Sequence, residues 1–171
     1  PVNLAKVFSG DPSGYAPCTP EAVMEMLDYA KIDLSGKRAV VVGRSLVVGK
    51  PLAMLLMGRN ATVTVCHTKT VELPAVCRSA QVLVAAAGRA RMLDGSYIGT
   101  DAAVIDVGIH VDQSGSLCGD VDFGSLPEYT ALATPVPGGV GAVTTSILAK
   151  HVVQAAARRR LPFEKQKEWK L

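Results

Sequence analysis

The chain has 171 residues, enough for one domain with a sizeable hydrophobic core. Hydrophobic residues make up 49% of it and charged residues 19%, a balance that argues against intrinsic disorder. The net charge is only +3, and the longest apolar run, residues 82–87, is far too short to cross a bilayer. We therefore expect neither a nucleic-acid partner nor a membrane partner.

Many of the cationic side chains lie near the C-terminus, just before and within the predicted tail, residues 160–171. A basic tail can touch nucleic acid or a membrane surface. Cations at the end of a helix also complement the helix dipole, and we favour this second interpretation for Arg158, Arg159 and Arg160.

The four cysteines are Cys18, Cys66, Cys77 and Cys118, and no two of them have C-x-x-C spacing. Three lie in or beside apolar segments, which favours reduced thiols in a cytoplasmic protein over a disulfide framework or a zinc site. The chain has only three histidines and no H-x-x-x-H pair, so no metal site is predicted.

The first predicted helix begins after residues 1–17, which are rich in glycine, proline, serine and asparagine. We interpret those residues as a turn-like connection from a preceding lobe that this chain lacks. Thr19 is predicted to cap the helix, because its hydroxyl can accept from free N–H groups ahead of Pro20 and Glu21. Apolar residues then recur at helical spacing as far as Ala30.

Strand and helix signals alternate over the rest of the chain. Strands are predicted at residues 38–42, 61–66, 81–87, 102–107 and 131–134, and helices at residues 51–58, 71–79 and about 142–159. A hairpin turn is predicted at residues 113–115. Apolar strands that alternate with helices indicate an α/β fold of Rossmann type, a single domain with a doubly wound, mainly parallel sheet and helices on both faces.

The first candidate ligand loop follows the first predicted strand and contains Gly43, Arg44, Ser45 and Gly49. A glycine-rich loop between a strand and a helix lets the backbone approach a pyrophosphate at the helix N-terminus. The spacing is G-x-x-x-x-x-G and not G-x-G-x-x-G, so a simple strand–helix turn remains an alternative.

The second candidate is the end of the second strand, residues 66–70, which includes His67 and Thr68. Rossmann proteins that bind NAD place an acid there to hold the ribose 2′-hydroxyl. This segment has hydroxyl and cationic side chains and no acid, a pattern that suits a 2′-phosphate and predicts NADP. An ordinary polar loop is the alternative.

The third candidate precedes the last helix and consists of Pro137, Gly138, Gly139, Val140 and Gly141. Several glycines allow close approach of a ligand, while proline stiffens the entry. We predict a loop that faces a ligand. Candidates for acid–base chemistry are poor, because Asp106, Asp120 and Asp122 near strand ends can equally serve as caps.

Six segments in order resemble the bifunctional methylenetetrahydrofolate dehydrogenase/cyclohydrolase family. They read PCTP, VVGRS with VGKP, ATVTVCHT, VIDVGI, GDVDF and TPVPGGVG, at residues 17–20, 41–51, 61–68, 104–109, 119–123 and 134–141. The resemblance implies a cytosolic, usually dimeric enzyme of one-carbon metabolism and purine biosynthesis. Such an enzyme oxidises 5,10-methylenetetrahydrofolate with NADP and hydrolyses the methenyl product to 10-formyltetrahydrofolate.

The resemblance also implies roles for individual residues. Gly43, Arg44 and Ser45 would hold the cofactor phosphates, with Thr68 near the 2′-phosphate and Ile109 near the cofactor. Residues 137–141 would line the folate side. Three positions depart from the common pattern: Thr68 stands for serine, His110 for asparagine, and Ala142–Val143 for Pro-Met.

The family's catalytic lysine lies in a Tyr-x-x-x-Lys motif, and none of the four tyrosines here has a lysine four residues later. No catalytic residue is therefore assigned, and we expect the NADP-binding portion of the enzyme, inactive by itself. Two alternatives are a non-catalytic nucleotide-binding module of the same fold and a Rossmann dehydrogenase with another small substrate.

Overall fold

A computed structural model describes the backbone of residues 2–167 and the side chains of residues 2–158. Its centre is a sheet of five parallel strands: β1 (Arg38–Val42), β2 (Thr62–Cys66), β3 (Val82–Ala85), β4 (Ala103–Asp106) and β7 (Leu132–Ala133). Across the sheet they lie in the order β2-β1-β3-β4-β7. A separate antiparallel hairpin joins β5 (His110–Val111) to β6 (Leu117–Cys118), as the turn at residues 113–115 predicts.

Within residues 2–167 the α-helices are α1 (Val2–Ser9), α2 (Cys18–Tyr29), α3 (Gly49–Gly58), α4 (Leu73–Arg78) and α5 (Val140–Lys167). Two short 3₁₀ helices lie at Gly95–Tyr97 and Phe123–Ser125. The described part of the chain has no helix long and apolar enough to cross a membrane.

The sheet is covered on both faces because successive side chains of each strand point to opposite sides. In β1, Ala39 and Val41 face a core built with α2, α3 and α5. Val40 and Val42 face a second core that includes Cys77 of α4. The predicted doubly wound α/β fold is therefore confirmed.

Edge strand β2 departs from the apolar pattern. It is buried at Cys66 but exposed at Thr62, Thr64 and Val65, because only one neighbouring strand covers it.

The prediction that residues 1–17 are irregular throughout is wrong, since α1 occupies residues 2–9. Glycine and proline are absent from 2–9 and concentrated in 10–17, so the composition of the whole stretch hid the helix. Gly10 ends α1 with φ 73°, and the Asp11 N–H donates to the Lys6 carbonyl, a closure that a left-handed glycine allows.

Two helix boundaries also differ from the prediction. The first residue of α2 is Cys18, with Pro17 at the N-cap and no side-chain cap, so Thr19 lies inside the first turn. Helix α5 begins at Val140, two residues before the predicted start, and extends to residue 167, beyond the predicted end at about Arg159. The contacts predicted for the basic side chains from Arg159 onward lie outside the described side chains.

Candidate functional site

The carboxyl ends of the strands form one level edge of the sheet. Val42 of β1 is in register with Cys66 of β2 and Ala85 of β3, and Ala85 is in register with Asp106 of β4. The chain leaves β1 for β2 on one side and later returns to β3 on the other. Such a switch point opens a crevice at the carboxyl edge, where ligands bind in α/β sheets.

The first candidate loop requires glycine at two positions for reasons of space. Gly43 has φ 137°, and a Cβ there would lie 2.0 Å from the Ala86 carbonyl oxygen beyond β3. A Cβ on Gly49 would lie 2.1 Å from the Gly43 carbonyl oxygen. The start of α3 is therefore packed directly against the loop, and Gly49 itself is buried behind it.

Ser45 closes the same loop from its exposed side. Its Oγ accepts from the backbone N–H groups of Val48 at 3.0 Å and Gly49 at 3.4 Å, next to the start of α3. A hydroxyl that accepts in this way still has a proton to donate. Ser45 can therefore contribute one donor to an anionic ligand above the loop.

The turn after β2 is held by its own side chains. The His67 N–H donates to Thr70 Oγ1 at 2.9 Å, and the Lys69 N–H donates to His67 Nδ1 at 3.1 Å. Because Nδ1 accepts, the neutral imidazole carries its proton on Nε2. Thr68 lies at the exposed tip of this turn.

These two segments line one cavity of about 350 Å³ with the loop that follows β3. Its charged lining residues are Arg44 and Arg89, and no carboxylate lines it in the described part of the chain. The first carboxylate after β2 is Glu72, the N-cap residue of α4, which is outside the lining. The cavity is therefore cationic at the position where an acid would disfavour a 2′-phosphate.

Arg89 was missed by sequence reasoning. It follows Gly88 directly after an apolar strand. This position near a strand end was the one feature of the sequence that could have indicated a contact with a ligand. Its backbone N–H and that of Gly88 donate to the buried Asp120 carboxylate, both at 2.9 Å. Asp120 thus holds the loop that brings Arg89 to the cavity.

A second cavity of about 350 Å³ lies at the ends of β4 and β7. Ile109 lines it together with Pro137, Gly138, Gly139 and Gly141. The structure thus places Ile109 with the predicted substrate loop, and separately from the cavity of Gly43, Arg44, Ser45, His67 and Thr68.

Two glycines of this second loop are explained by the loop's own backbone conformation and packing. Gly138 has φ 104°, and a Cβ on Gly139 would lie 2.5 Å from the Pro135 carbonyl oxygen. Gly141 would accept a side chain without this strain, at an ordinary contact distance of 3.5 Å from Ile109 Cδ1. The Val140 side chain is 2% exposed and belongs to the core, so the prediction for Val140 can concern only its backbone.

Asp106 is a buried acceptor at this edge, 4% exposed. Its Oδ1 accepts from the N–H groups of Gly108 and Asp120 at 2.9 and 3.0 Å, and its Oδ2 from that of Val121 at 2.9 Å. Burial raises the pKa of this carboxyl, against the opposing effect of the three N–H donors. Asp106 therefore holds the backbone at Gly108 and at residues 120–121 in position beside the two cavities.

All four cysteines are free thiols in this structure. Within the described residues no group of three or more histidine, cysteine or acidic side chains could hold a metal ion.

The sequence and the fold of this chain are similar to those of known proteins. A family model for the NAD(P)-binding domain of tetrahydrofolate dehydrogenase/cyclohydrolase matches residues 17–160. The chain belongs to this family. The bifunctional protein FolD of Clostridium kluyveri, another member, is 57% identical over 159 residues, which make up 93% of this chain and 56% of that protein. The chain thus spans little more than half the length of the curated relatives it matches.

Solved structures confirm the fold of the family. The bifunctional FolD methylenetetrahydrofolate dehydrogenase/cyclohydrolase of Campylobacter jejuni gives a TM-score of 0.90 at 42% identity, over 93% of this chain and 56% of that chain. The Trypanosoma brucei enzyme, solved with NADP cofactor and inhibitor, gives 0.86 at 40% identity, over 93% and 57%.

Proposed function

We propose that this chain is the NADP-binding domain of a bifunctional methylenetetrahydrofolate dehydrogenase/cyclohydrolase. The observation that carries the proposal is the cavity at the ends of β1, β2 and β3, which is lined by Arg44 and Arg89 and, among the residues with described side chains, by no carboxylate. A cationic, acid-free pocket at the end of the second strand suits a ribose 2′-phosphate. The NADP complex of the Trypanosoma brucei relative supports the same choice.

The residues divide between the two ends of the cofactor. Gly43, Arg44 and Ser45 hold phosphates through close backbone approach, a guanidinium and a hydroxyl donor. Thr68 and the Nε2–H of His67 face the 2′-phosphate from the end of β2. When bound, NADP supplies the acceptor for hydride.

The cavity lined by Ile109 and residues 137–141 is assigned to the groups that react, the nicotinamide and the folate. Its walls are mostly apolar, with Asp106 engaged by three backbone N–H groups. We propose that this cavity orients the nicotinamide end of the cofactor and one side of the folate. Hydride transfer depends on holding donor and acceptor carbons at near-attack distance, so this wall contributes position and exclusion of water.

The full-length protein is proposed to oxidise 5,10-methylenetetrahydrofolate and to hydrolyse the methenyl product to 10-formyltetrahydrofolate. The Tyr-x-x-x-Lys motif of the family does not occur in these 171 residues, so no residue here is proposed as catalytic. By the same resemblance we propose a cytoplasmic homodimer that serves one-carbon metabolism and purine biosynthesis.

Calorimetric titration of the chain with NADP and NAD tests the cofactor assignment. We expect tighter binding of NADP. The Thr68→Asp variant adds an acid at the end of β2 and is expected to weaken NADP binding by about tenfold or more, equivalent to ~1.4 kcal/mol, while NAD binding changes less.

The matched control is Thr100→Asp, the same change at an exposed residue by the opposite edge of the sheet. Equal affinity of the chain for NAD and NADP would contradict the proposed cofactor. Failure to bind either nucleotide would contradict the proposed function.

A further inference from the structure

Cys18, the first residue of α2, lies beside His151 of α5. The distance from Cys18 Sγ to His151 Nδ1 is 3.9 Å, within reach of a hydrogen bond to sulfur. The other ring nitrogen, Nε2, lies 2.7 Å from Glu21 Oε2, one turn further along α2. One imidazole therefore connects a thiol to a carboxylate, and we call these three residues the Cys18–His151–Glu21 cluster.

The proton arrangement in this cluster follows from the donor inventory. An ionised Glu21 only accepts, so Nε2 of His151 carries the proton, and Nδ1 presents its lone pair to the thiol. His151 can then take the thiol proton, and Glu21 would stabilise the imidazolium that forms. Cys18 also stands at the N-terminus of a 12-residue helix, where the helix dipole is positive.

Neighbouring side chains shield the His151 imidazole from solvent. The Tyr15 ring packs on His151 at 5.2 Å between centroids, and the Arg158 guanidinium lies 4.6 Å from the Tyr15 ring centroid. The His151 side chain is 12% exposed. Lys150 Nζ lies 3.1 Å from Glu21 and 2.6 Å from Glu25, so two carboxylates match this cation. The Arg158 guanidinium donates to the Ser13 carbonyl at 2.8 Å.

The other three thiols differ from Cys18 in exposure. Cys66 and Cys77 are fully buried and Cys118 is 6% exposed, whereas Cys18 is only half-buried. Burial raises the pKa of Cys66, and it raises that of Cys77 to about 12. These three thiols are therefore internal references for an unreactive cysteine.

We propose that Cys18 is a nucleophilic thiol that forms mixed disulfides with small disulfide molecules, with His151 as its base and Glu21 as the carboxylate that orients His151. The thiol proton passes to His151 Nδ1, and the thiolate attacks one sulfur of the disulfide. A bond forms between Cys18 and that sulfur while the S–S bond of the reagent breaks. The second sulfur leaves as a thiolate with the electron pair, and the imidazolium returns its proton to solvent.

Reaction of the folded chain with dithiobis(nitrobenzoate), a small disulfide whose leaving thiolate is coloured, tests the proposal. We expect one fast equivalent of released thiolate per chain, absent in Cys18→Ser and retained in the control Cys118→Ser. The remaining thiols should react only after denaturation, because they are buried.

The role of His151 has its own readout. In His151→Asn the fast phase should slow about tenfold at pH 7, and this difference should vanish near pH 10, where thiols ionise without a base. Glu21→Gln should give a smaller change in the same direction, and it serves as the second variant if His151→Asn does not fold. Circular dichroism reports the folded state of each variant.

A fast phase that persists in Cys18→Ser would overturn the proposal. So would an unchanged rate at pH 7 in both the His151 and Glu21 variants. A loss of rate that is equal at pH 7 and pH 10 would also overturn it, because a base is needed only while the thiol is protonated.

Discussion

Asp106 and Asp120 are buried carboxylates whose oxygens are occupied by donors of the protein itself. Asp106 accepts three backbone N–H groups, and Asp120 accepts those of Gly88 and Arg89 together with Nε2 of His110 at 2.7 Å. An unpaired buried N–H costs about 1–3 kcal/mol, so these acceptors stabilise the loops that carry Arg89 and Ile109. At the scale of single residues, the two carboxylates therefore hold the loops of the site in position.

Asp106→Asn is expected to lower the free energy of unfolding by about 1–3 kcal/mol at pH 7, because an amide NH₂ replaces one of two accepting oxygens. Urea unfolding measures the change. Asp101→Asn is the control, since Asp101 is exposed with φ 56°, a conformation that asparagine tolerates equally.

The difference in stability between the wild-type protein and Asp106→Asn is expected to depend on pH. Because burial raises the folded pKa of Asp106 above 3.8, the folded protein keeps this proton at pH values where the unfolded chain has lost it. That contribution to stability is fully present below the unfolded pKa and is lost as the pH rises through the folded pKa. The stability gap between wild type and Asp106→Asn should therefore be wider at pH 4 than at pH 7; a narrower gap would contradict the raised pKa.

Helix α3 and the loop before it form the element on which the first cavity depends. Gly49 permits the helix to begin against the Gly43 carbonyl, and Gly43 permits the loop to pass over the end of β3. Leu52 and Leu56, both fully buried, hold α3 on the sheet. Burial of each such side chain contributes about 1.5–3 kcal/mol, which fixes the helix start relative to the strand ends.

Gly49→Ala should lower the free energy of unfolding by about 1–3 kcal/mol and weaken NADP binding, because its Cβ would displace the loop. Gly58→Ala is the matched control at the other end of the same helix, where a Cβ meets no atom within 4 Å. It should leave NADP binding unchanged and stability equal or up to about 1 kcal/mol higher. Urea unfolding and NADP titration of both variants check this, and equal effects of the two would contradict the assigned role of Gly49.

For the whole molecule, the doubly wound sheet places both candidate cavities on one edge and a core on each face. Dinucleotides bind in the crevice at the carboxyl ends of the strands in sheets of this kind. In the proposed function, this chain therefore supplies the NADP-binding surface and one wall of the folate site.

The chain by itself is expected to bind NADP and to turn over methylenetetrahydrofolate negligibly. Binding to the folded state alone should raise the unfolding temperature progressively with NADP concentration. Differential scanning fluorimetry and the appearance of NADPH absorbance measure the two quantities. Steady NADPH formation by the purified chain would show that these residues suffice for hydride transfer, against the proposal.

Local patterns in the sequence were sufficient to predict the alternating strands and helices and the parallel sheet, whereas ligand binding by the three loops stays a prediction. Burial periodicity and glycine placement are properties of neighbouring residues, so they can be recognised without a structure. Boundaries were less certain, as α1 shows, because a helix of eight residues is hidden by the turn residues beside it.

Only the tertiary structure decided which side chains meet. The strand order brings Arg89 to Arg44 and turns Asp106 and Asp120 into backbone acceptors. Packing also buries Val140 while leaving the adjacent Gly141 exposed. It also brings His151 to Cys18, 133 positions earlier in the chain. Such contacts depend on the packing of distant elements, and the pattern of residues within any one element carries no information about them.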